Sequence, residues 1–177
     1  TEMIIEFKGM RPDIDKAAYI AENATISGDV TLGENSSVWF NAVMRAEVAP
    51  ITVGALSNVQ DHVMLHADYD CPVTIGDRVS IGHSAIVHGA TIEDRVIVGM
   101  GAIVMNGAVI GEGSIIAAGA LVKEGMVVPP YSLVAGVPGV VKKTFEPGQR
   151  PQEHNDEVYT DDAFAYAAAP HYPVPVK

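Results

Sequence analysis

Aliphatic residues recur at every sixth position along most of this chain. From Ile92 the ladder runs Val98, Val104, Ile110, Ile116, Val122, Val128 and Val134 without a slip. The same spacing links Ile75, Ile81 and Val87, then Val53, Val59 and Leu65, and then Ile20, Ile26, Leu32, Val38 and Met44. A period of six fits neither the 3.6-residue turn of a helix nor the simple alternation of an isolated strand. It is the mark of a hexapeptide repeat, in which three short rungs close one triangular coil of about 18 residues. Stacked coils place equivalent strands about 4.8 Å apart. Each rung carries an inward aliphatic, often a turn-tolerant residue next to it, and a small residue four places on, as in Ile81-Gly82-His83-Ser84-Ala85 and Val98-Gly99-Met100-Gly101-Ala102. The expected architecture is therefore all-β, a parallel β-helix.

The repeat divides the chain into three stretches. Residues 1–19 read as a lead-in strand and turn, and residues 20–144 as the β-helix. Residues 145–177 read as a linker, a helix over 152–169 and a proline-rich tail, because Pro170, Pro173 and Pro175 end any helix. With 177 residues, 48% of them hydrophobic, the chain is long enough to bury one core. No apolar run approaches the roughly 20 residues needed to span a bilayer, and Thr1–Lys8 lacks the layout of a signal peptide. A net charge of −11 argues against nucleic acid or an anionic membrane as partner. The lone Cys71 can form no internal disulfide, which suits a cytoplasmic setting.

The ladder breaks phase three times, between Met44 and Val53, between Leu65 and Ile75, and between Val87 and Ile92. Numbered through these breaks, all three fall at one corner of the triangle, where loops and function gather. On the face before that corner the inward residues are Met44, Leu65, Val87 and Val104. The residue after each points outward, which stacks Arg45, His66, His88 and Met105 in a column. His66 and His88 then sit one coil apart, close enough to share a metal ion with Zn–N bonds of about 2.0–2.1 Å. His83 lies two places after the inward Ile81, stacks over Asp61 and is one face away from that column. It can join the same ion only from a neighbouring subunit, and a threefold ring closes such head-to-tail contacts. The expectation is a homotrimer with interfacial metal sites, each built from His66 and His88 of one chain and His83 of the next. Three ligands with an open fourth position are the pattern of a catalytic zinc, which supplies hydroxide near neutral pH. His62, His154 and His171 have no such partners and read as ordinary surface residues.

At these positions the sequence resembles the gamma-class carbonic anhydrase family and its short bacterial and archaeal relatives. The matching stretches are Asn41-Ala42-Val43-Met44-Arg45, Asn58-Val59-Gln60-Asp61 with His66, and Ile81-Gly82-His83 with Val87-His88-Gly89. The resemblance implies a left-handed parallel β-helix, a homotrimer, and a Zn2+, Fe2+ or Co2+ ion at each interface. It implies that His66, His83 and His88 are metal ligands, that Gln60 hydrogen-bonds the reactive hydroxide, and that Asn58 supports Gln60. Arg45 and Asp61 match a pair that meets across the subunit contact. Glu47 stands where the family often has aspartate, and Val48 where its best-studied branch has an acidic proton-transfer residue. Asn155 and Tyr159 resemble a helix motif of the short relatives whose tyrosine approaches the metal pocket.

Hydration of carbon dioxide to bicarbonate is thus the leading activity. CoA-dependent acyl transfer, with one histidine as general base, is the competing chemistry of hexapeptide-repeat proteins, and metal-assisted thioester hydrolysis is a related one. A non-catalytic trimer with a structural metal is the third reading.

Overall fold

The computed structural model describes residues 3–172. The chain winds about 7 turns of a parallel β-helix and ends in a single helix, α1 (Asn155–Ala168). Three faces form the coil. The first stacks Thr25–Ser27, Val43–Arg45, Met64–His66, Ile86–His88, Ile103–Val104 and Leu121–Val122. The second stacks Val30–Leu32, Ile51–Val53, Val73–Ile75, Thr91–Ile92, Val109–Ile110 and Val127–Val128. The third runs from Tyr19–Ile20 through Ser37–Val38, Asn58–Val59, Ser80–Ile81, Ile97–Val98 and Ile115–Ile116 to Ser132–Ala135.

The six-residue period works because each rung aims one aliphatic at the axis. On the first face Ile26, Met44, Leu65, Val87, Val104 and Val122 are all fully buried. Their stacking sets the register, since a one-residue slip would turn every one of them to solvent. The corner between the third and first faces takes a left-handed residue in five successive coils. Asn41, His62, Ser84, Gly101 and Gly119 supply it, with φ between 58° and 69°. His62 is therefore a corner residue. The three phase breaks do share one corner, between the first and second faces. There Val43–Val53 runs as one long strand, residues 67–72 bulge out as a small loop closed by the Asp68–Cys71 bridge, and Gly89 turns the chain in the shortened coil. Gly28 sits at this corner too, at φ +83°, where an added Cβ would lie 2.1 Å from the Ala46 carbonyl oxygen.

Met3–Ile5 already pairs in parallel with Thr25–Ser27, so the first residues of the described chain belong to the coil. At the other end Val140–Thr144 folds back antiparallel on Ser132–Ala135 and stops the stacking. Helix α1 lies along the third face. Of its own residues it buries only Asp156 and Ala163, and Ala163 joins a small hydrophobic cluster with Tyr19, Ala21 and Trp39, separate from the axial core. Two ion pairs hold its start, Arg78 to Asp156 at 2.9 Å and Arg95 to Glu153 at 3.3 Å. Aromatic packing holds the rest: Tyr159 and Tyr166 meet Trp39 edge-on, and Tyr166 also packs on Tyr19 and Phe40.

Candidate metal centre

The first face delivers its outward column in register. Arg45 pairs with His66, and His66 with His88, as direct strand neighbours. The two imidazoles converge, with His66 Nδ1 2.9 Å from His88 Nε2. Two ligand nitrogens about 2.0–2.1 Å from one tetrahedral ion lie about 3.3 Å apart, so this spacing is close to that of a shared ligand pair. The outer nitrogens are also engaged. His66 Nε2 lies 3.2 Å from Glu47 Oε2, and Glu47 is ion-paired to Arg45. His88 Nδ1 hydrogen-bonds to Asn106 Oδ1. A carboxylate and an amide oxygen both require an N–H, and a neutral imidazole carries only one. With those hydrogens on the outer nitrogens, both rings turn bare lone pairs toward each other. Such a pair repels unless a cation lies between, so the donor set fits a divalent metal.

Burial is the main cause that pulls the His66 pKa below its ordinary value, helped by the charges of Arg45 and His88 and opposed by Asp68. The ring is thus held in the neutral form that ligates metal. Asp68 is held below the usual carboxylate range by the backbone N–H of Tyr69 and then by the Asn106 amide.

His83 belongs to a second cluster at the corner between the third and first faces. Its Nδ1 lies 2.8 Å from Asp61 Oδ2, and its Nε2 faces the Tyr159 hydroxyl at 3.2 Å. The Asp61 carboxylate therefore fixes the hydrogen on Nδ1 and leaves Nε2 as the lone pair. Gln60 is buried beside it. Its Oε1 accepts the His83 backbone N–H at 3.2 Å, and its Nε2 donates to Asn58 Oδ1 at 3.0 Å. Asn58 in turn donates to Ser80 Oγ, which also accepts from Asn155 of α1 at 2.8 Å. Burial raises the Tyr159 pKa, with the Asp61 charge adding to it, so the phenol stays protonated. A cavity of about 340 Å³ opens here, walled by Gln60, His83, Met100, Gln152, Asn155 and Tyr159.

The sequence-predicted residues thus fall into two groups. Arg45, Glu47, His66 and His88 meet on the first face, while Asn58, Gln60, Asp61, His83 and Tyr159 meet beside α1. Within one chain Arg45 pairs with Glu47 and Asp61 with His83, since Arg45 and Asp61 occupy opposite corners of the first face. Among the described residues, no group of three or more His, Cys, Asp or Glu side chains is arranged in one chain to hold a metal ion. Asn106, Asp68 and Ser80 were not anticipated. Stacking places Met105 next above His88, yet it is the following residue, Asn106, whose side chain meets the ring.

Comparison with known proteins agrees with the repeat and with the family resemblance. A family model described as bacterial transferase hexapeptide (six repeats) matches residues 89–124. A protein of Methanocaldococcus jannaschii named a probable carbonic anhydrase is 59% identical over 128 residues, covering 72% of this chain and 80% of that protein. The carbonic anhydrase of Geobacillus kaustophilus is 43% identical over 167 residues, covering 94% of this chain and 92% of that protein. The chain belongs to the gamma carbonic anhydrase family. A solved Bacillus cereus structure described as a candidate acetyltransferase superimposes with a TM-score of 0.91 at 38% identity, covering 94% of this chain and 98% of that one. One fold thus carries names from two chemistries, and the choice between them rests on the site.

Proposed function

We propose that this gamma carbonic anhydrase hydrates carbon dioxide reversibly to bicarbonate at sites shared between neighbouring subunits of a homotrimer. Each site takes His66 and His88 from one subunit and His83 from the next. The observation that carries this reading is the 2.9 Å convergence of His66 and His88 on one face, while His83, with a side chain 42% exposed, sits at the opposite corner with its Nε2 lone pair held by the Tyr159 hydroxyl, which a metal would displace. Zn2+ suits three imidazoles, and Fe2+ or Co2+ would be accepted by the same set. A divalent cation held by these three imidazoles would supply hydroxide near neutral pH.

The chain's own groups orient the reaction. Gln60, held by the His83 N–H and by Asn58, keeps its second Nε2 hydrogen and an Oε1 lone pair for the cavity. It is placed to orient the nucleophile and to bind the charge that grows on a carbon dioxide oxygen. Tyr159 closes the cavity over His83, and Arg45 holds Glu47 against His66. Oligomerisation is supported by a stripe of outward apolar residues beside the histidine column: Met64, Ile86, Ile103 and Leu121 are each left partly or well exposed. Met100, next to His83 in the corner column, is 59% exposed.

Complementation tests the shared site. His66→Ala and His83→Ala proteins should each be inactive in stopped-flow hydration. Refolded together, they should regain activity, because a His83→Ala subunit can offer His66 and His88 to the intact His83 of its neighbour. No recovery from a mixture shown to form mixed trimers would defeat the arrangement. The similarity to the Bacillus cereus structure supports acyl transfer as a second reading, for which acetyl-CoA turnover by metal-free protein is the discriminating measurement.

A further inference from the structure

Asn106 and Asp68 stand outside every motif that the site absorbs, yet they form a chain of contacts ending on His88. Asp68 is anchored at three points in the small loop after His66. Its backbone N–H and C=O bridge to Cys71, both at 3.0 Å, and its Oδ1 accepts the Tyr69 N–H at 2.8 Å. That leaves Oδ2, which accepts the Asn106 Nδ2 hydrogen at 3.0 Å. A carboxylate only accepts, so it selects the amide orientation with nitrogen toward Asp68. Asn106 Oδ1 must then face His88 Nδ1, as it does. An amide oxygen also only accepts, so the His88 hydrogen belongs on Nδ1, and Nε2 keeps the lone pair that faces His66. Asparagine alone could present either end. The carboxylate behind it removes the choice.

We infer that Asn106 and Asp68 are positioning residues that lock the Nδ1–H tautomer and the ring angle of His88, so that Nε2 is presented for metal binding. The inference rests on the metal-centre reading for its purpose, while its mechanism concerns the ring itself. Outer partners of this kind typically change metal affinity by about 10–100-fold when removed. The loop over residues 67–72 thereby gains a role, since a displacement of Asp68 frees the Asn106 amide to turn.

The test uses the full-length protein and two readouts. Long-range 1H–15N NMR of metal-free protein at pH 8 reports the His88 tautomer, and competition with a chromophoric chelator reports Zn2+ affinity. Wild type should show Nδ1–H at His88. Asn106→Leu should populate Nε2–H and bind Zn2+ about 10–100-fold more weakly. Asp68→Asn should give a mixture of tautomers. The double variant Asp68→Asn/Asn106→Asp exchanges carboxylate and amide, keeps an acceptor toward His88, and should restore both the tautomer and most of the affinity. It also serves if Asn106→Leu fails to fold. An unchanged tautomer in folded Asn106→Leu, or no rescue by the exchange, overturns the inference. If wild type bound no Zn2+ through His88, the metal-centre reading would fail, and the tautomer measurement would still decide the positioning role.

Discussion

Gln60→Leu tests the site most directly, because the side chain sits where stability and chemistry meet. Leucine nearly matches glutamine in volume, so the change removes polar contacts without opening a large cavity. Two partners lose their hydrogen bonds: Asn58 Oδ1, on a residue 1% exposed, and the His83 backbone N–H. A buried group left unsatisfied, as Asn58 Oδ1 would be, costs about 1–3 kcal/mol, and the part-buried His83 N–H falls at the low end of that range. Sparing the desolvation of the amide offsets part of this, so the net loss is about 2–4 kcal/mol. A domain of this size loses about 2–4 °C in Tm per kcal/mol, which predicts a fall of about 5–15 °C. Scanning calorimetry at matched protein concentration measures it, since the Tm of an oligomer depends on concentration. Catalysis should fall further. Removing one preorganised polar group from a charge-stabilising site lowers the rate by about 10²–10³-fold. Stopped-flow hydration at 10 °C, with metal content confirmed, separates that loss from unfolding. A Tm within about 1 °C of wild type and a kcat/KM within threefold would refute both the network and the role assigned to Gln60.

Leu65→Ala removes a fully buried rung between Met44 and Val87, directly beneath the His66–His88 column, and should cost about 2–5 kcal/mol by urea denaturation. Asp156→Ala removes the buried partner of Arg78; as Arg78 is 41% exposed and can turn to water, the loss should be about 1–2 kcal/mol and confined to α1, seen as faster amide exchange there with the coil unchanged. Removing metal with a strong chelator should lower both Tm and the fraction of trimer in sedimentation, and Zn2+ should restore both, because a cation shared between subunits stabilises the assembled state.

The helix and the outer partners of the site show where sequence reasoning stops. The expected C-terminal helix is present, at Asn155–Ala168, but nothing periodic marks the face that docks. Ala163 and a set of aromatics from distant coils make that contact, so the approach of Tyr159 to His83 is a product of tertiary packing. The expected pairing of Arg45 with Asp61 across subunits stands apart from what one chain contains, where nearer partners, Glu47 and His83, occupy those charges.

By itself, the amino-acid sequence determined the coil and its register. Six-residue spacing, numbered through its three phase breaks, stacks Met44, Leu65, Val87 and Val104 over one another, and the pleat then puts Arg45, His66 and His88 in one outward column. The three phase breaks likewise specified the corner at which loops emerge. Only the tertiary structure decided which atoms of those side chains are used. Glu47 and Asn106 take the outer nitrogens of the two rings, Asp61 takes one nitrogen of His83, and Asp68 orients Asn106. The physical reason is that stacking of aliphatics repeats along the axis and is legible as a period. Corner conformation, ring rotation and hydrogen-bond direction depend on single residues brought together from different coils, and no period records them.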